Sequence, residues 1–462
     1  MQFTFNPTIP EDKDITIVSL VPEQEQSFVQ LKDNGQKILS IGVKDVEKIN
    51  RRKLILLTRQ AVALARSHRA AKIAFEFSDF TFPKLRMTDE DKAEVIATNM
   101  EMANFEFTKY RTEPEEGWSF VTDIIVVTSK ASNIKKSFEK GQIIGQEVNA
   151  SRALATNPGD EMTPKMLAES AKKAVEGLNV KVEVLGEKEM KKLGMGGVLG
   201  VGQGSDAESQ FIILEYMAGK KSEKPIVLAG KGVTFDTGGL NIKPGDHMYE
   251  MHMDMSGGAA VIHAIVAAAK LKLKKNVVAI VPAVENMPSG SSYHPGDILK
   301  SMSGKTIEVI NTDAEGRVIL SDALTYSERY EPRLVVDVAT LTGSAIAALG
   351  PRASAIFTRD EKLETTLRKL GEESGDYVWP LPMWEEYEEG VKGTFGDVAN
   401  SGKSRYGGAI DGAMFLQQFA QNLPSWVHID IAPRMTTIEG EFLSKGSAGA
   451  PIRLLTKLIE KY

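Results

Sequence analysis

The sequence predicts an α/β protein of two domains: a smaller N-terminal α/β domain, and a larger C-terminal α/β domain in which helices cover a central mixed sheet. The chain has 462 residues, which is too long for one ordinary hydrophobic core. Strand-like runs alternate with helical patterns in both halves. In the second half these runs are continuously apolar, which is typical of strands that helices cover on both faces.

Residues 1–130 are predicted to form the N-terminal domain. Its predicted strands cover residues 15–21, 37–43, 72–77 and 123–128, and its predicted helices cover residues 46–69 and 89–104. Residues 131–156 follow as one long, mostly polar helical pattern, which ends at the helix-breaking run Asn157-Pro158-Gly159-Asp160. We therefore interpret residues 131–156 as a helix that connects the two domains.

Residues 157–462 are predicted to form the C-terminal domain. It opens with a helix for which Thr163 is the predicted N-cap and Pro164 the first residue. The predicted strands lie at residues 225–229, 277–281, 306–310 and 334–338, and the other predicted helices lie at residues 256–273 and 318–330.

The composition excludes several kinds of site and partner. The chain has no cysteine, so disulfide bonds and thiolate metal ligands are excluded. The formal net charge is −6, and residues 1–130 hold 18 Lys and Arg against 20 Asp and Glu, so a nucleic-acid partner is not expected. Neither a signal peptide nor an apolar run of about 18 residues is visible, so we expect a cytoplasmic protein that has no membrane partner.

Charged and polar side chains follow three of the predicted strands, at the end where open α/β sheets bind ligands. In chain order they are Lys231, Asp236, Lys243, Asp254, the run Asn311-Thr312-Asp313-Ala314-Glu315-Gly316-Arg317, and residues 339–343. Because these segments follow strands of one predicted sheet, we expect them to meet in one site.

Four of these side chains are carboxylates, those of Asp236, Asp254, Asp313 and Glu315. Four carboxylates in one pocket repel one another, so the cluster is stable only if cations neutralise it. Carboxylate oxygens are good ligands for Mg²⁺, Mn²⁺ or Zn²⁺. Two such ions that share carboxylates would use all four side chains.

The run from Asn311 to Arg317 also allows a second interpretation. In extended backbone Asp313 and Glu315 would point to the same side, Gly316 would permit a tight turn, and the fork of Arg317 would suit an anion. Taken alone, however, Asp-x-Glu-Gly fits a turn with capping carboxylates about as well as it fits a metal site. No histidine pair has the His-Glu-x-x-His spacing of zinc peptidases.

Taken together, these segments resemble the cytosolic leucyl aminopeptidase family. The matching blocks are Asn157–Pro164, Gly230–Gly239, Met251–Met255, Asn311–Arg317, Ala339–Gly343 and Trp426–Ala432. They occur in the family's order over roughly residues 150–462, which is a far more specific signal than one short motif. The first 130 residues carry none of the family's motifs.

The resemblance implies a dinuclear-metal aminopeptidase, a hydrolase that removes leucine or another apolar N-terminal residue from peptides. The implied metal ligands are Lys231, Asp236, Asp254, Asp313 and Glu315, with Lys231 acting as a neutral amine whose pKa is strongly lowered. The implied catalytic residues are Lys243, which would polarise the scissile carbonyl, and Arg317, which would hold a bicarbonate ion as general base. The implied substrate-binding residues are Met251, Asn311, Thr340, Leu341 and Gly343.

The resemblance further implies two divalent metal ions per subunit, Zn²⁺ or Mn²⁺ with Mg²⁺ as a third option, and a homohexamer.

One residue departs from the family pattern: His252 stands where a lysine is frequent, beside the substrate pocket but not among the metal ligands. Three other classes of protein fit these residues less well. A two-metal phosphoesterase usually adds histidine ligands, a DNA-binding member of the family would need a more basic first domain, and an inactive paralogue would lack some functional residues.

Overall fold

The computed structural model describes residues 1–462 and confirms the two-domain α/β class. Unit 1 contains Met1–Asn149 and Thr437–Lys445, and unit 2 contains Ala150–Thr436 and Gly446–Tyr462. The segment Thr437–Lys445 belongs to unit 1, although the sequence analysis placed it in the C-terminal domain, because Leu443 packs on the core of unit 1. The predicted boundaries at residues 130 and 157 stay predictions. No helix combines the length and apolar composition that a membrane span requires.

Unit 1 is built on one sheet of six strands. They are β1 (Gln2–Asn6), β2 (Thr16–Pro22), β3 (Phe28–Leu31), β4 (Lys37–Val43), β5 (Lys72–Glu76) and β6 (Asp123–Val127), in the order β1-β6-β5-β2-β4-β3. Neighbouring strands are parallel except β3, which runs antiparallel to β4.

Three helices begin in unit 1: α1 (Arg51–Ser67), α2 (Asp89–Ala103) and α3 (Ala131–Thr156). The helix predicted from residue 46 begins only at Arg51, because Asn50 caps it by accepting a hydrogen bond from the backbone N–H of Lys53 (3.1 Å). The long polar pattern is observed as α3, with the bounds that the sequence predicted.

Unit 2 contains a mixed sheet of nine strands. They are β7 (Lys181–Leu185), β8 (Gln210–Met217), β9 (Ile226–Gly230), β10 (Gly232–Asp236), β11 (Asn276–Asn286), β14 (Leu334–Ala339), β15 (Ser354–Phe357), β16 (Val378–Pro380) and β18 (Trp426–Asp430). A separate sheet joins β12 (Ile298–Lys300), β13 (Thr306–Glu308) and β17 (Val398–Ala399). The order in the large sheet is β16-β15-β18-β14-β9-β11-β8-β7, and β10 pairs with β11.

Nine helices complete unit 2. They are α4 (Pro164–Ala174), α5 (Glu187–Lys192), α6 (Gly196–Gly202), α7 (Ser256–Lys270), α8 (Glu315–Ser327), α9 (Gly343–Leu349), α10 (Glu361–Ser374), α11 (Gly408–Gln417) and α12 (Ile452–Lys461). Helices cover both faces of the large sheet. In β9, Leu228 packs in a core with residues of α4, α7, α10 and α12, whereas its neighbour Val227 packs in a second core with α6, α8 and α11. Consecutive residues are therefore both buried, which explains the continuous apolar runs of the sequence.

The central strands β18, β14, β9 and β11 are parallel, so their carboxyl ends lie at one edge of the sheet. β9 and β10 run along β11 one after the other, and Lys231 lies between them. Thr340 follows β14, while Asn286 and Asp430 end β11 and β18. The topology thus brings residues that are far apart in the chain to one edge.

We expect Gly257→Ala to destabilise unit 2. A Cβ atom at Gly257, in the first turn of α7, would lie 2.2 Å from the carbonyl oxygen of Val338 in β14. Overpacking of this kind costs about 1–3 kcal/mol, so the midpoint of thermal unfolding, followed by circular dichroism, should fall. Gly290→Ala is the control, because a Cβ atom there meets nothing within 4 Å. Equal midpoints for the two variants would contradict the prediction.

Candidate metal centre

Asp236 ends β10 and is almost completely buried. Its Oδ1 accepts hydrogen bonds from the backbone N–H of Gly238 (2.9 Å) and from Nδ2 of Asn286 (2.8 Å). Its Oδ2 lies 2.7 Å from Nζ of Lys243. The same ammonium group lies 2.5 Å from Oδ1 of Asp313, so Lys243 joins the carboxylates of two loops.

The backbone from Asn311 to Glu315 is not extended, so the sequence-based interpretation of this run was wrong. Thr312–Ala314 form a 3₁₀ turn, and Oδ1 of Asn311 caps it by accepting a hydrogen bond from the N–H of Asp313 (2.9 Å). Glu315 is already the first residue of α8. Asp313 and Glu315 therefore reach the site from a turn and from a helix start, because side-chain capping favours the turn over a strand here.

Lys231 is almost completely buried, with only 3% of its surface exposed. Its Nζ lies 2.7 Å from Oδ2 of Asp254 and 2.7 Å from Oε1 of Glu315. It also donates a hydrogen bond to the carbonyl oxygen of Thr340 (2.9 Å). Oγ1 of Thr340 in turn donates to Oδ1 of Asp254 (2.6 Å), so the segment after β14 is tied into the same cluster.

Gly316 does not form the tight turn that the sequence predicted. It lies in the first turn of α8, and its φ is not in the left-handed region. A Cβ atom at this position would lie 2.6 Å from Cε and 2.9 Å from Nζ of Lys231. A larger residue here would displace the end of the Lys231 side chain, which passes directly over the helix backbone.

The carboxylates converge as predicted, with one difference. One oxygen of each of Asp236, Asp313 and Glu315 lies within 4.8 Å of the others, while Asp254 meets this group through Lys231. Oε2 of Glu315 is buried and has no hydrogen-bond partner. A buried carboxylate oxygen without a donor is unfavourable, and a divalent cation among the three carboxylates would satisfy it. The donor set, carboxylate oxygens and one amine, therefore fits divalent metal ions.

The charges within the cluster shift the pKa values of its members. Burial, together with the charge of Asp236, raises the pKa of Asp254 to about 6 and that of Glu315 to about 8, although the charge of Lys231 opposes both shifts. Burial alone would lower the pKa of Lys231, but its carboxylate neighbours outweigh burial and raise that pKa. The pKa of Lys243 is raised for the same reason. The neutral amine that the resemblance implies for Lys231 therefore requires cations to neutralise these carboxylates.

Arg317 lies in α8 beside the carboxylates, with 7% of its surface exposed. Its Nη1 donates a hydrogen bond to the carbonyl oxygen of Asn400 (2.9 Å), whereas its buried Nε has no partner. Burial lowers the pKa of Arg317, although the carboxylates of Glu315 and Asp411 oppose that shift. A guanidinium group with an unused buried donor can bind a small anion.

The residues predicted to bind substrate lie on three segments next to the cluster; they are Met251, Asn311, Thr340, Leu341 and Gly343. Met251 begins a short 3₁₀ helix that leads directly into Asp254. Thr340 and Leu341 connect β14 to α9, which begins at Gly343. The structure therefore brings all twelve predicted site residues to the same edge of unit 2.

Sequence reasoning missed three polar residues that hold these loops. Asn286 contacts Asp236, as described above, and the side chain of Asn400 accepts a hydrogen bond from the N–H of Asn311 (3.2 Å). The carboxylate of Asp430 accepts a hydrogen bond from Oγ1 of Thr342 (2.7 Å). All three lie at or directly after the end of a buried strand, β11, β17 or β18. No strand-end signal pointed to them in the sequence, because the predicted strand within β11 ended at residue 281 and neither β17 nor β18 was predicted.

Three comparisons relate the chain to known proteins. Residues 149–456 match the family described as "Cytosol aminopeptidase family, catalytic domain". A probable cytosol aminopeptidase of Syntrophotalea carbinolica is 43% identical over 373 residues, which cover 80% of this chain and 75% of the relative. Another, of Saccharophagus degradans, is 39% identical over 436 residues, 94% of this chain and 84% of the relative. A solved structure of the bottromycin maturation enzyme BotP in complex with Mn is similar at a TM-score of 0.87 and 26% identity, over 97% of this chain and 99% of that one.

We expect Gly316→Ala to weaken the binding of divalent metal ions, because the added methyl group would displace Lys231 from Asp254 and Glu315. Alanine favours a helix by about 1 kcal/mol over glycine, so α8 itself should still form. Titration calorimetry with Mn²⁺ on chelator-treated protein measures the effect, and Gly290→Ala is again the control. Unchanged affinity in Gly316→Ala would show that the position of Lys231 does not matter for the site.

Proposed function

The chain belongs to the cytosol aminopeptidase family, and we propose that it removes N-terminal residues from peptides with the help of two divalent metal ions. The observation that carries the proposal is the meeting of four carboxylates, two lysines and one arginine at one edge of the unit 2 sheet. They are the seven residues to which the family resemblance assigns metal binding and catalysis. An inactive subunit would have no need to keep all of them together.

The metal ligands in this proposal are the five residues that the resemblance implies. Asp236, Asp254, Asp313 and Glu315 would hold the ions through carboxylate oxygens, and Lys231 would hold one through its neutral amine. Bound cations would lower the pKa of a water molecule and so supply the nucleophile for peptide hydrolysis. The oxygen-rich ligand set suits Zn²⁺, Mn²⁺ or Mg²⁺, and the description of the BotP structure favours Mn²⁺.

Lys243 is the proposed electrophile. The carboxylates of Asp236 and Asp313 keep its amine protonated, and its side chain is more exposed than that of Lys231 (14% against 3%). A fixed ammonium group at this place can donate a hydrogen bond to the scissile carbonyl and stabilise the negative charge that develops on its oxygen.

Arg317 is the proposed holder of the general base. Its unused Nε donor and its planar guanidinium group suit a bicarbonate ion, which would accept a proton from the attacking water and pass it to the leaving amine. The chain itself offers no neutral histidine among the residues of the cluster for this task.

The side chain of the N-terminal residue would lie against Met251 and Leu341, which are partly exposed apolar residues on segments next to Asp254 and Thr340. Such a pocket favours leucine or another apolar residue. We also propose a cytoplasmic location, because the curated relatives are named cytosol aminopeptidases, and a homohexamer, which the family resemblance implies.

We expect the Mn²⁺-loaded protein to release leucine from a leucyl anilide, and a chelator to abolish this activity. Asp313→Ala should lose metal and activity together. Metal affinity and activity should each fall by more than roughly 100-fold, the upper end of what is lost when only a residue that orients a metal ligand is removed. Asp297→Ala is the control, because the side chain of Asp297 is partly exposed and bonds His294 in its own turn. Full turnover by Asp313→Ala would rule out the assigned site, and failure of the wild type to cleave any N-terminal residue from a peptide library would rule out the function.

Arg317→Ala should retain both metal ions but turn over slowly, because it loses the group that holds the base. Removal of general-base catalysis reduces kcat by about 100-fold to 10,000-fold. Steady-state kinetics on the leucyl anilide, with metal content measured by mass spectrometry, tests this. A variant that loses metal, or one whose kcat equals that of the wild type, would contradict the role of Arg317.

A further inference from the structure

We propose that Asn286 and Thr312 are positioning residues that set the affinity of the metal centre, by fixing the loop that carries Asp236 against the turn that carries Asp313. Neither residue is a metal ligand, and neither is assigned a role by the family resemblance above. The inference rests on the proposed function, since it concerns the same metal centre.

Asn286 ends β11 and is completely buried. Its Nδ2 uses both hydrogens: one bonds Oδ1 of Asp236 (2.8 Å) and the other bonds the carbonyl oxygen of Thr312 (3.0 Å). Its Oδ1 is buried and has no hydrogen-bond partner, which costs free energy. The orientation of the amide is therefore set by its two donor contacts. The amide therefore serves as a bridge between the two loops.

Thr312 makes further contacts between the same two loops. Its Oγ1 donates a hydrogen bond to the carbonyl oxygen of Gly238 (2.6 Å) and accepts one from the N–H of Asn241 (2.8 Å). Both partners lie in the loop after Asp236, and Thr312 directly precedes Asp313. Its side chain is completely buried, so no water competes for these bonds.

These contacts bear on the metal ions because Asp236 and Asp313 repel each other. The ammonium group of Lys243 contacts both carboxylates. A metal ion would have to share these carboxylates with the ammonium group or take its place. Unless the backbone of both loops is fixed, the carboxylates can move apart and relieve the repulsion at the expense of the ligand geometry. Contacts that orient metal ligands typically change metal affinity by about 10-fold to 100-fold.

The test uses the two asparagines that begin and end β11. Asn276 is also buried, and its Nδ2 also donates to two carbonyl oxygens, of Lys220 (2.9 Å) and Glu223 (2.7 Å), but at the strand end remote from the metal centre. Both Asn286→Ala and Asn276→Ala should lower the midpoint of thermal unfolding. We expect Mn²⁺ affinity, measured by titration calorimetry on the full-length, chelator-treated protein, to fall about 10-fold to 100-fold in Asn286→Ala alone.

Variants of Thr312 give a second test, which does not depend on whether Asn286→Ala folds. Thr312→Val keeps the shape of the side chain but removes the hydroxyl, so Mn²⁺ affinity should fall. Thr312→Ser keeps the hydroxyl and should restore Mn²⁺ affinity relative to Thr312→Val. In the peptidase assay, kcat at limiting Mn²⁺ should follow the affinities and should recover at saturating Mn²⁺, since both residues act on the loops that carry Asp236 and Asp313.

The outcomes separate the inference from the proposed function. If the wild type binds Mn²⁺ and both Asn286→Ala and Thr312→Val bind it equally well, the two residues have only a structural role and the inference is wrong. The same holds if Asn276→Ala loses as much affinity as Asn286→Ala. If the wild type itself binds no divalent metal, the proposed function fails first.

Discussion

Two buried ammonium groups hold this site together, and the arrangement of the surrounding loops depends on them. Lys231 pairs Asp254 with Glu315, and Lys243 pairs Asp236 with Asp313. Each lysine thus ties the segment between β9 and α7 to the run at the start of α8. Buried ion pairs of this kind contribute little net stability, because removing the charges from water offsets their attraction. Such a concentration of charge is more typical of a functional site than of a structural one.

The fold supplies the rigid frame that makes this concentration of charge tolerable. The central parallel strands are buried on both faces, so their carboxyl ends cannot shift independently of the two cores. Asp313 and Glu315 lie at the N-terminal end of α8, where the helix dipole stabilises negative charge. Glycine at position 316 lets Lys231 approach that helix end closely enough to meet its carboxylates.

Neutral side chains also fix the loops that carry the charged residues. Asn286, Thr312 and Asn400 hold backbone groups or carboxylates of the site through their amides and hydroxyls, without adding charge to a cluster that is already crowded with it. In this arrangement the charged groups form the cluster, and the neutral groups fix the loops that carry them.

The sequence by itself determined the α/β class, the charged loops at strand ends and the identity of the residues that meet there, because apolar periodicity and motif order are local properties of the chain. It also predicted the bounds of α3, since the run Asn157-Pro158-Gly159-Asp160 that ends this helix is a local signal. The 3₁₀ turn before α8 was missed although its cap from Asn311 is local. The tertiary structure alone decided the reason for glycine at 316, the placement of Thr437–Lys445 in unit 1, and the bridge made by Asn286. Each of these three depends on a contact between residues distant in the chain, and such contacts are set by how the sheet and helices pack.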